Sequence, residues 1–488
     1  MGNKRGSGVL LHITSLPNKY GLGTISIEAY EFVRMLSRHK VKYWQILPHN
    51  HCNYSGNPYT TFSVFAGNPY LIDLREFLSE EELARFGIVE KTNDKIDLEA
   101  MQKKHFNAFW YFYDKCRSGF DIEAFKKENE YWLYDYARFM AIKQIYGNKP
   151  WWEFPDGLDS NNIEANRRFD EKYGKVFDFY VFLQYIFFMQ WERLKKYANS
   201  LGVKIVGDMA IYSDMDSADV WANRKQYKFS ADGKPSVVSG TPPDAFTEDG
   251  QLWGNPIYDY KKMEKDGYTF WVERIRVASK IFDTVRLDHF RAFSSYWAVP
   301  YGDTTAKGGK WEMGPGKKLY DKLVANTKME IFVEDLGILT DDVIKLKEKL
   351  GCAGMKVMQF AFDSDLSKMY LPHNYEKNCV AYIGTHDNDT FKGYLLNTSE
   401  DIRIQFADYV GASVDNIDDI IDKAIRCIMA SSANLVVITI QDLLKLDGSA
   451  RMNVPGTIDG NWQFQLKDMA IEKEIESMAK WIKAYERY

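Results

Sequence analysis

Eight short, continuously apolar segments alternate with amphipathic helical stretches, and acidic residues stand at the downstream ends of several of them. That combination predicts a (β/α)8 barrel of the TIM type, with large helical and loop insertions between strands. Strands that are apolar along their whole length suit a parallel sheet buried on both faces. The 488 residues suffice for one barrel with insertions.

The elements follow in order. Residues 8–12 read as the first strand. A helix follows, capped by Ser26, with Ala29, Phe32, Val33 and Leu36 on one face. The second strand, 43–47, is stopped by Pro48. The third, 204–207, leads into Asp208; the fourth, 284–287, into Asp288; the fifth, 331–333, into Glu334. The sixth spans 356–360, and the seventh, 380–383, runs into Thr385-His386-Asp387. The eighth, 435–440, leads to Asp442. Periodicity places helices at 317–324, 341–350 and 417–429.

Residues 1–488 are expected to form one catalytic barrel unit with two enlarged connections. Residues 49–202, after the second strand, read as a mainly helical insertion rich in aromatic side chains. Its first helix carries the capping-box pair Ser79 and Glu82. Residues 209–268, after the third strand, read as a loop-rich insertion, non-periodic from Tyr212 to Tyr268. The glycine-rich run 308–318 lacks phosphate-loop spacing and reads as a mobile surface loop.

Composition narrows the function classes. The net charge of −5, with no basic stripe, gives no footprint for nucleic acid or an anionic membrane. The longest apolar run, 179–189, is interrupted by Gln184 and falls short of the ~20 residues that span a bilayer. Five widely spaced cysteines without a CxxC pattern suggest a reducing compartment, hence the cytoplasm, and no zinc site. His49, His51 and Cys52 lie close together but lack a fourth ligand. No signal peptide is read at the N-terminus.

Three carboxylates carry the chemistry. Asp288, Glu334 and Asp387 follow the fourth, fifth and seventh strands, and the active sites of such barrels lie at the strands' C-terminal ends. Arg286, two residues before Asp288, shares its face, and a guanidinium there keeps a carboxylate ionised. An ionised nucleophile and a structural ion pair both fit that stretch. Retaining cleavage of a glycosidic bond needs a carboxylate nucleophile and a carboxylic acid ~5–5.5 Å apart. Adjacent strand ends, ~4.8 Å apart, suit that separation. A third carboxylate can grip ring hydroxyls.

These motifs closely resemble those of the 4-α-glucanotransferases, the amylomaltase or disproportionating-enzyme family (glycoside hydrolase family 77) of the α-amylase superfamily. The most specific matches are Arg286-Leu287-Asp288-His289-Phe290-Arg291, Val333-Glu334-Asp335-Leu336-Gly337 and Thr385-His386-Asp387-Asn388-Asp389. The likeness extends from Ser7 to Trp462. It implies Asp288 as nucleophile, Glu334 as general acid and then base, and Asp387 as the holder of sugar hydroxyls. It further implies that Arg286 orients Asp288, that His386 and Asp208 bind the same ring, and that Tyr59 stacks on it. Trp253 and Asn255 would lie over the acceptor side, and Asp363 would touch an acceptor sugar. No cofactor or metal is implied. The partners would be an α-1,4-glucan donor and a sugar acceptor; no subunit contact is read from the sequence.

The chain departs from the family at Leu47–Tyr54, where a Gly-rich segment is commoner, and at Asn57, where Ser is usual. Ala245 stands where Tyr is frequent, shortening an aromatic lid, and 461–465 lacks an Arg after Trp462. Three activities fit these residues: transfer of an α-1,4-glucan segment to another sugar's 4-hydroxyl, plain α-glucan hydrolysis, and non-catalytic glucan binding. The intact carboxylates argue against the last, and the second step of transfer and of hydrolysis uses the same groups.

Overall fold

The computed structural model describes residues 5–488 except 54, 90–97, 244–247, 338, 363–364 and 458, with backbone alone at 365–367. The described strands are β1 (Gly6–Leu10), β2 (Tyr43–Gln45), β3 (Lys204–Met209), β4 (Val237–Thr241), β5 (Gln251–Pro256) and β6 (Thr284–Leu287). They continue with β7 (Ser295–Pro300), β8 (Lys310–Met313), β9 (Glu330–Val333), β10 (Gly354–Val357), β11 (Cys379–Tyr382) and β12 (Leu435–Thr439).

Eight of these pair in parallel in the order β10-β11-β12-β1-β2-β3-β6-β9. A parallel bridge between Phe332 and Ala353 joins β9 back to β10, with the Val333 N–H donating to the Ala353 carbonyl at 2.9 Å. The ring is thereby closed, and the fold is a (β/α)8 barrel. Its interior is filled by Leu10, Val206, Phe332, Met355, Val380 and Val437, all buried. Tyr382 is buried among them and donates its hydroxyl to Gln45 Oε1 at 2.8 Å, so the polar atom is satisfied.

Local sequence explains the frame, with a few displacements. The helix Ile27–Arg38 buries Ala29, Phe32, Val33 and Leu36 as its periodicity requires. Ser26 occupies the N-cap position, but its hydroxyl turns to Glu28 Oε2 at 2.5 Å rather than capping the helix. The expected box at Ser79 and Glu82 is formed, with both reciprocal bonds. The sixth barrel strand ends earlier than its apolar pattern suggests: β10 stops at Val357, and Met358–Phe360 turn into a 3-10 helix. The eighth likewise ends at Thr439, whose hydroxyl caps the short helix Ile440–Leu443.

The larger correction lies after β3. The stretch from Tyr212 to Tyr268 is not simply loop: it carries β4 and β5, which join β7 and β8 in an antiparallel sheet of order β5-β4-β7-β8. The run 308–318, read as a mobile loop, contributes β8 to that sheet and the start of the helix Gly316–Ala325. Between β2 and β3 the chain is mostly helical, ending in a helix from Ile163 to Ser200. Phe187 and Trp191 of that helix pack around His49, with Phe282 on the barrel side. Trp151 is buried and Trp152 exposed, so that aromatic pair divides between packing and surface.

Candidate active site

Asp208, Asp288, Glu334 and Asp387 lie at the C-terminal rim of the barrel because each ends or follows a barrel strand. On β3, β6 and β9 the register pairs Asp208 with Arg286 and Arg286 with Phe332. Asp288 and Glu334 are each two residues further along, so both project from the same face as those interior side chains. Leu287 and Val333 are partners across β6 and β9, and the Glu334 N–H donates to the Leu287 carbonyl at 2.9 Å. The two carboxyl-bearing residues thus leave adjacent strands side by side.

Arg286 is the charge at the centre of the rim. Its Nη1 donates to Asp208 Oδ1 at 2.9 Å, to Asp208 Oδ2 at 2.8 Å and to Asp288 Oδ1 at 2.8 Å. Asp208 is sealed beneath it, whereas the Asp288 side chain keeps 24% of its surface open to the cleft. Arg286 thus gives each of the two carboxylates a charge-assisted hydrogen bond, while burial, the larger effect, raises the Asp208 pKa.

Glu334 is held differently. The Leu336 N–H donates to its Oε1 at 2.8 Å and the His289 N–H to its Oε2 at 2.9 Å. Burial nevertheless pushes its carboxyl up to about 7; the Asp288 charge adds to the rise and Arg286 opposes it. Two neighbouring carboxyl groups therefore stand in different surroundings, one bonded to a guanidinium and partly open to the cleft, the other buried against two backbone amides.

Across the rim, after β11, His386 and Asp387 complete the arrangement. The Tyr59 hydroxyl donates to Asp208 Oδ2 at 2.9 Å and stands 2.9 Å from His386 Nε2. With that proton engaged, the Tyr59 oxygen accepts from Nε2–H, and Nε2 also lies 3.2 Å from Asp387 Oδ2. Tyr59 stacks on the His386 ring at 5.5 Å and 14°, and Trp462 leans against both. Asp387 is the most open of the acids, with 42% of its side chain exposed. Asn453 Nδ2 donates to its Oδ1 at 2.6 Å, and Arg451 Nη2 to its carbonyl at 2.7 Å.

The remaining candidates are spread more widely. Trp253, on β5, is 38% exposed and meets the His289 ring edge-on at 4.8 Å. Asn255 spends its amide within the fold: Oδ1 accepts from Ser239 Oγ at 3.0 Å and Nδ2 donates to the Ser213 carbonyl at 3.2 Å. Asp363 and Ala245 lie outside the described residues. Four contributors escaped the reading of individual residues: His289, Arg451, Asn453 and Trp462. His289 and Trp462 fall inside matched motifs; Arg451 and Asn453 belong to a loop with no chemical pattern of its own.

A closed parallel barrel whose rim sets an arginine-held carboxylate beside a carboxyl poised near neutrality belongs to the class of barrel enzymes that cleave glycosidic bonds with two carboxyl groups. Within that class, the chain belongs to the 4-alpha-glucanotransferase family, whose model matches residues 11–471. It is 40% identical to the 4-alpha-glucanotransferase of Streptococcus pneumoniae, covering 97% of this chain and 95% of that one. It is also 40% identical to the enzyme of the same name from Aquifex aeolicus, over 99% of each chain. Among solved structures it is similar to the amylomaltase from Streptococcus agalactiae in complex with acarbose, with a TM-score of 0.93, 34% identity, and 99% of this chain and 100% of that chain covered.

Proposed function

We propose that this chain is a retaining 4-α-glucanotransferase that moves an α-1,4-glucan segment from a donor to the 4-hydroxyl of another glucan or glucose. The observation that carries the mechanism is the contrast at the ends of β6 and β9: Arg286 bonds Asp288 at 2.8 Å while burial lifts Glu334 to about 7.

In the first step an Asp288 oxygen attacks the anomeric carbon, and Glu334 gives its proton to the departing glycosidic oxygen. The C–O bond to the leaving sugar breaks as the bond to Asp288 forms. Burial is the main cause of the raised Glu334 pKa, but esterification removes the Asp288 charge that had added to it, while Arg286 remains. The acid therefore becomes easier to ionise and is ready to act as a base. In the second step Glu334 takes the proton of an acceptor hydroxyl, whose oxygen displaces Asp288 from the anomeric carbon. Two inversions leave the α configuration intact. Asp387, open to the cleft and braced by Asn453, grips ring hydroxyls together with His386. Tyr59 lines the same ring, while Asp208, with no exposed side-chain surface, acts from beneath through Arg286 and Tyr59 rather than touching the sugar. Trp253 and Asp363 serve the acceptor side, and Asn255, its amide bonded to Ser239 and Ser213, supports that wall from within.

Neither step calls for a metal or other cofactor. Among the described residues no helix is long and apolar enough to cross a membrane. All five cysteines are free thiols, which suits a cytoplasmic enzyme. Residues 49–202 and 209–268 serve as insertions that wall the cleft of one barrel unit. Incubation with maltotriose tests the activity. A ladder of longer maltooligosaccharides together with glucose is expected; shortened products alone would make the enzyme a hydrolase.

A further inference from the structure

Residue 289 is the point where backbone conformation, the acid and an exposed tryptophan meet. His289 has φ 48°, a left-handed conformation unusual for a residue with a Cβ. Such a conformation is strained and persists only where the surroundings hold it. Here they do so on three sides. The ring packs edge-on against Trp253 at 4.8 Å. The next residue, Phe290, donates its N–H to the Glu334 carbonyl at 3.0 Å, and the His289 carbonyl accepts from Ala292 N–H at 3.0 Å. The consequence of the twist is that the His289 N–H points back across the gap between strands and donates to Glu334 Oε2 at 2.9 Å.

We propose that His289 is a positioning residue for the acid, acting through its backbone rather than its imidazole. This rests on the assignment of Glu334 as the acid. Its left-handed turn aims one of the two amides that orient the Glu334 carboxyl, and what the position requires is a residue that accepts that backbone conformation. Burial lowers the imidazole to about 4, so the ring is uncharged near neutral pH. An amide donated to a carboxylate favours the ionised form, so losing it raises the acid's pKa. The other titratable groups facing Glu334 are Arg286 on β6, Asp288 just beyond it, Asp335 from its own loop and Tyr370, and a change at 289 replaces none of them.

The test is a set of substitutions read by the pH dependence of maltotriose disproportionation. His289→Asn keeps a side chain that tolerates left-handed backbone and is expected to leave the alkaline limb where the wild type has it. His289→Val resists that conformation and is expected to move the limb upward by about one pH unit, with a loss of turnover. Should the Val variant fail to fold, His289→Ala makes the same comparison with less steric demand. A folded Val or Ala variant whose limb has not moved, or an Asn variant displaced as far as Ala, overturns the proposal. Glu334→Gln separates this from the acid assignment: undiminished turnover in that variant would refute the assignment itself, whereas an inactive one leaves only His289 in question.

Discussion

A single nitrogen, Arg286 Nη1, lies within 2.9 Å of three carboxylate oxygens, two on Asp208 and one on Asp288. Arg286 is therefore expected to matter for stability as well as for the proposed chemistry. Arg286→Met would strand Asp208, a carboxylate with no exposed surface, and breaking a buried pair in this way costs about 3–5 kcal/mol. A lowered midpoint in denaturant, accompanied by loss of turnover, is expected. Asp288→Ala should behave otherwise, since its side chain is part-exposed and Asp208 remains to pair Arg286. That variant is expected to fold normally and lose turnover by ~10⁴-fold or more. Circular dichroism paired with a product assay separates the two cases, and near-normal transfer by Asp288→Ala would remove it as nucleophile. At Glu334 the sign of the pH effect follows from its role. The first step needs the protonated carboxyl, so with a pKa raised to about 7, kcat/KM is expected to fall as pH rises through about 7. A profile flat across that range would mean that Glu334 does not supply the proton.

At the scale of elements, the rim works because strands place carboxyl groups that loops could not hold as firmly. Gly207 on β3 illustrates how close the packing is. A Cβ there would stand 2.3 Å from the Phe282 ring, just ahead of β6, and the next residue is Asp208. Gly207→Ala must push β3 and the Phe282 segment apart, with a cost of about 1–3 kcal/mol. Urea unfolding should show that loss, together with weaker turnover as Asp208 shifts under Arg286; full stability in the variant would mean the ring yields freely. The barrel strands were legible because a buried parallel strand is written as an unbroken apolar run. The antiparallel sheet β5-β4-β7-β8 was not. Its central pairing is long-range, β4 with β7 across the barrel strand β6, and a register shift between Val238 and Gly240 breaks any alternation. Pro, Gly and Ser in those strands look like turn chemistry until a partner is known.

Over the whole molecule, the helical insertion and the barrel meet at a buried imidazole. His49 stacks on Phe187 at 5.8 Å and meets Phe282 edge-on at 5.1 Å, and neither ring nitrogen has a hydrogen-bond partner among the described residues. Burial lowers its pKa from 6.5 to about 3, and burial acts alike on His12 and His51. Groups whose folded pKa is depressed in this way must be neutral to stay buried. The stability they permit is fully present above pH 6.5 and is lost as pH falls toward 3. Acid unfolding monitored by tryptophan fluorescence should therefore begin above the carboxylate range, and His49→Leu should shift the midpoint to lower pH. An unchanged midpoint would place the acid-sensitive contact elsewhere.

Taken alone, the sequence determined the barrel, the glucanotransferase family and the placing of three carboxylates just after barrel strands. Each of these is encoded locally: an apolar run for a strand, a carboxylate at its end, a motif whose residues lie within a few positions of one another. Only the tertiary structure decided how those carboxylates differ. Glu334 is lifted by the closing of the barrel around it, and Asp288 is paired by an arginine that it shares with Asp208 on the neighbouring strand. The second sheet, the left-handed turn at His289, and the Asn453 and Arg451 contacts to Asp387 were decided there too. All depend on burial or on partners far away in the chain, and solvent exclusion and long-range proximity exist only once the chain has folded.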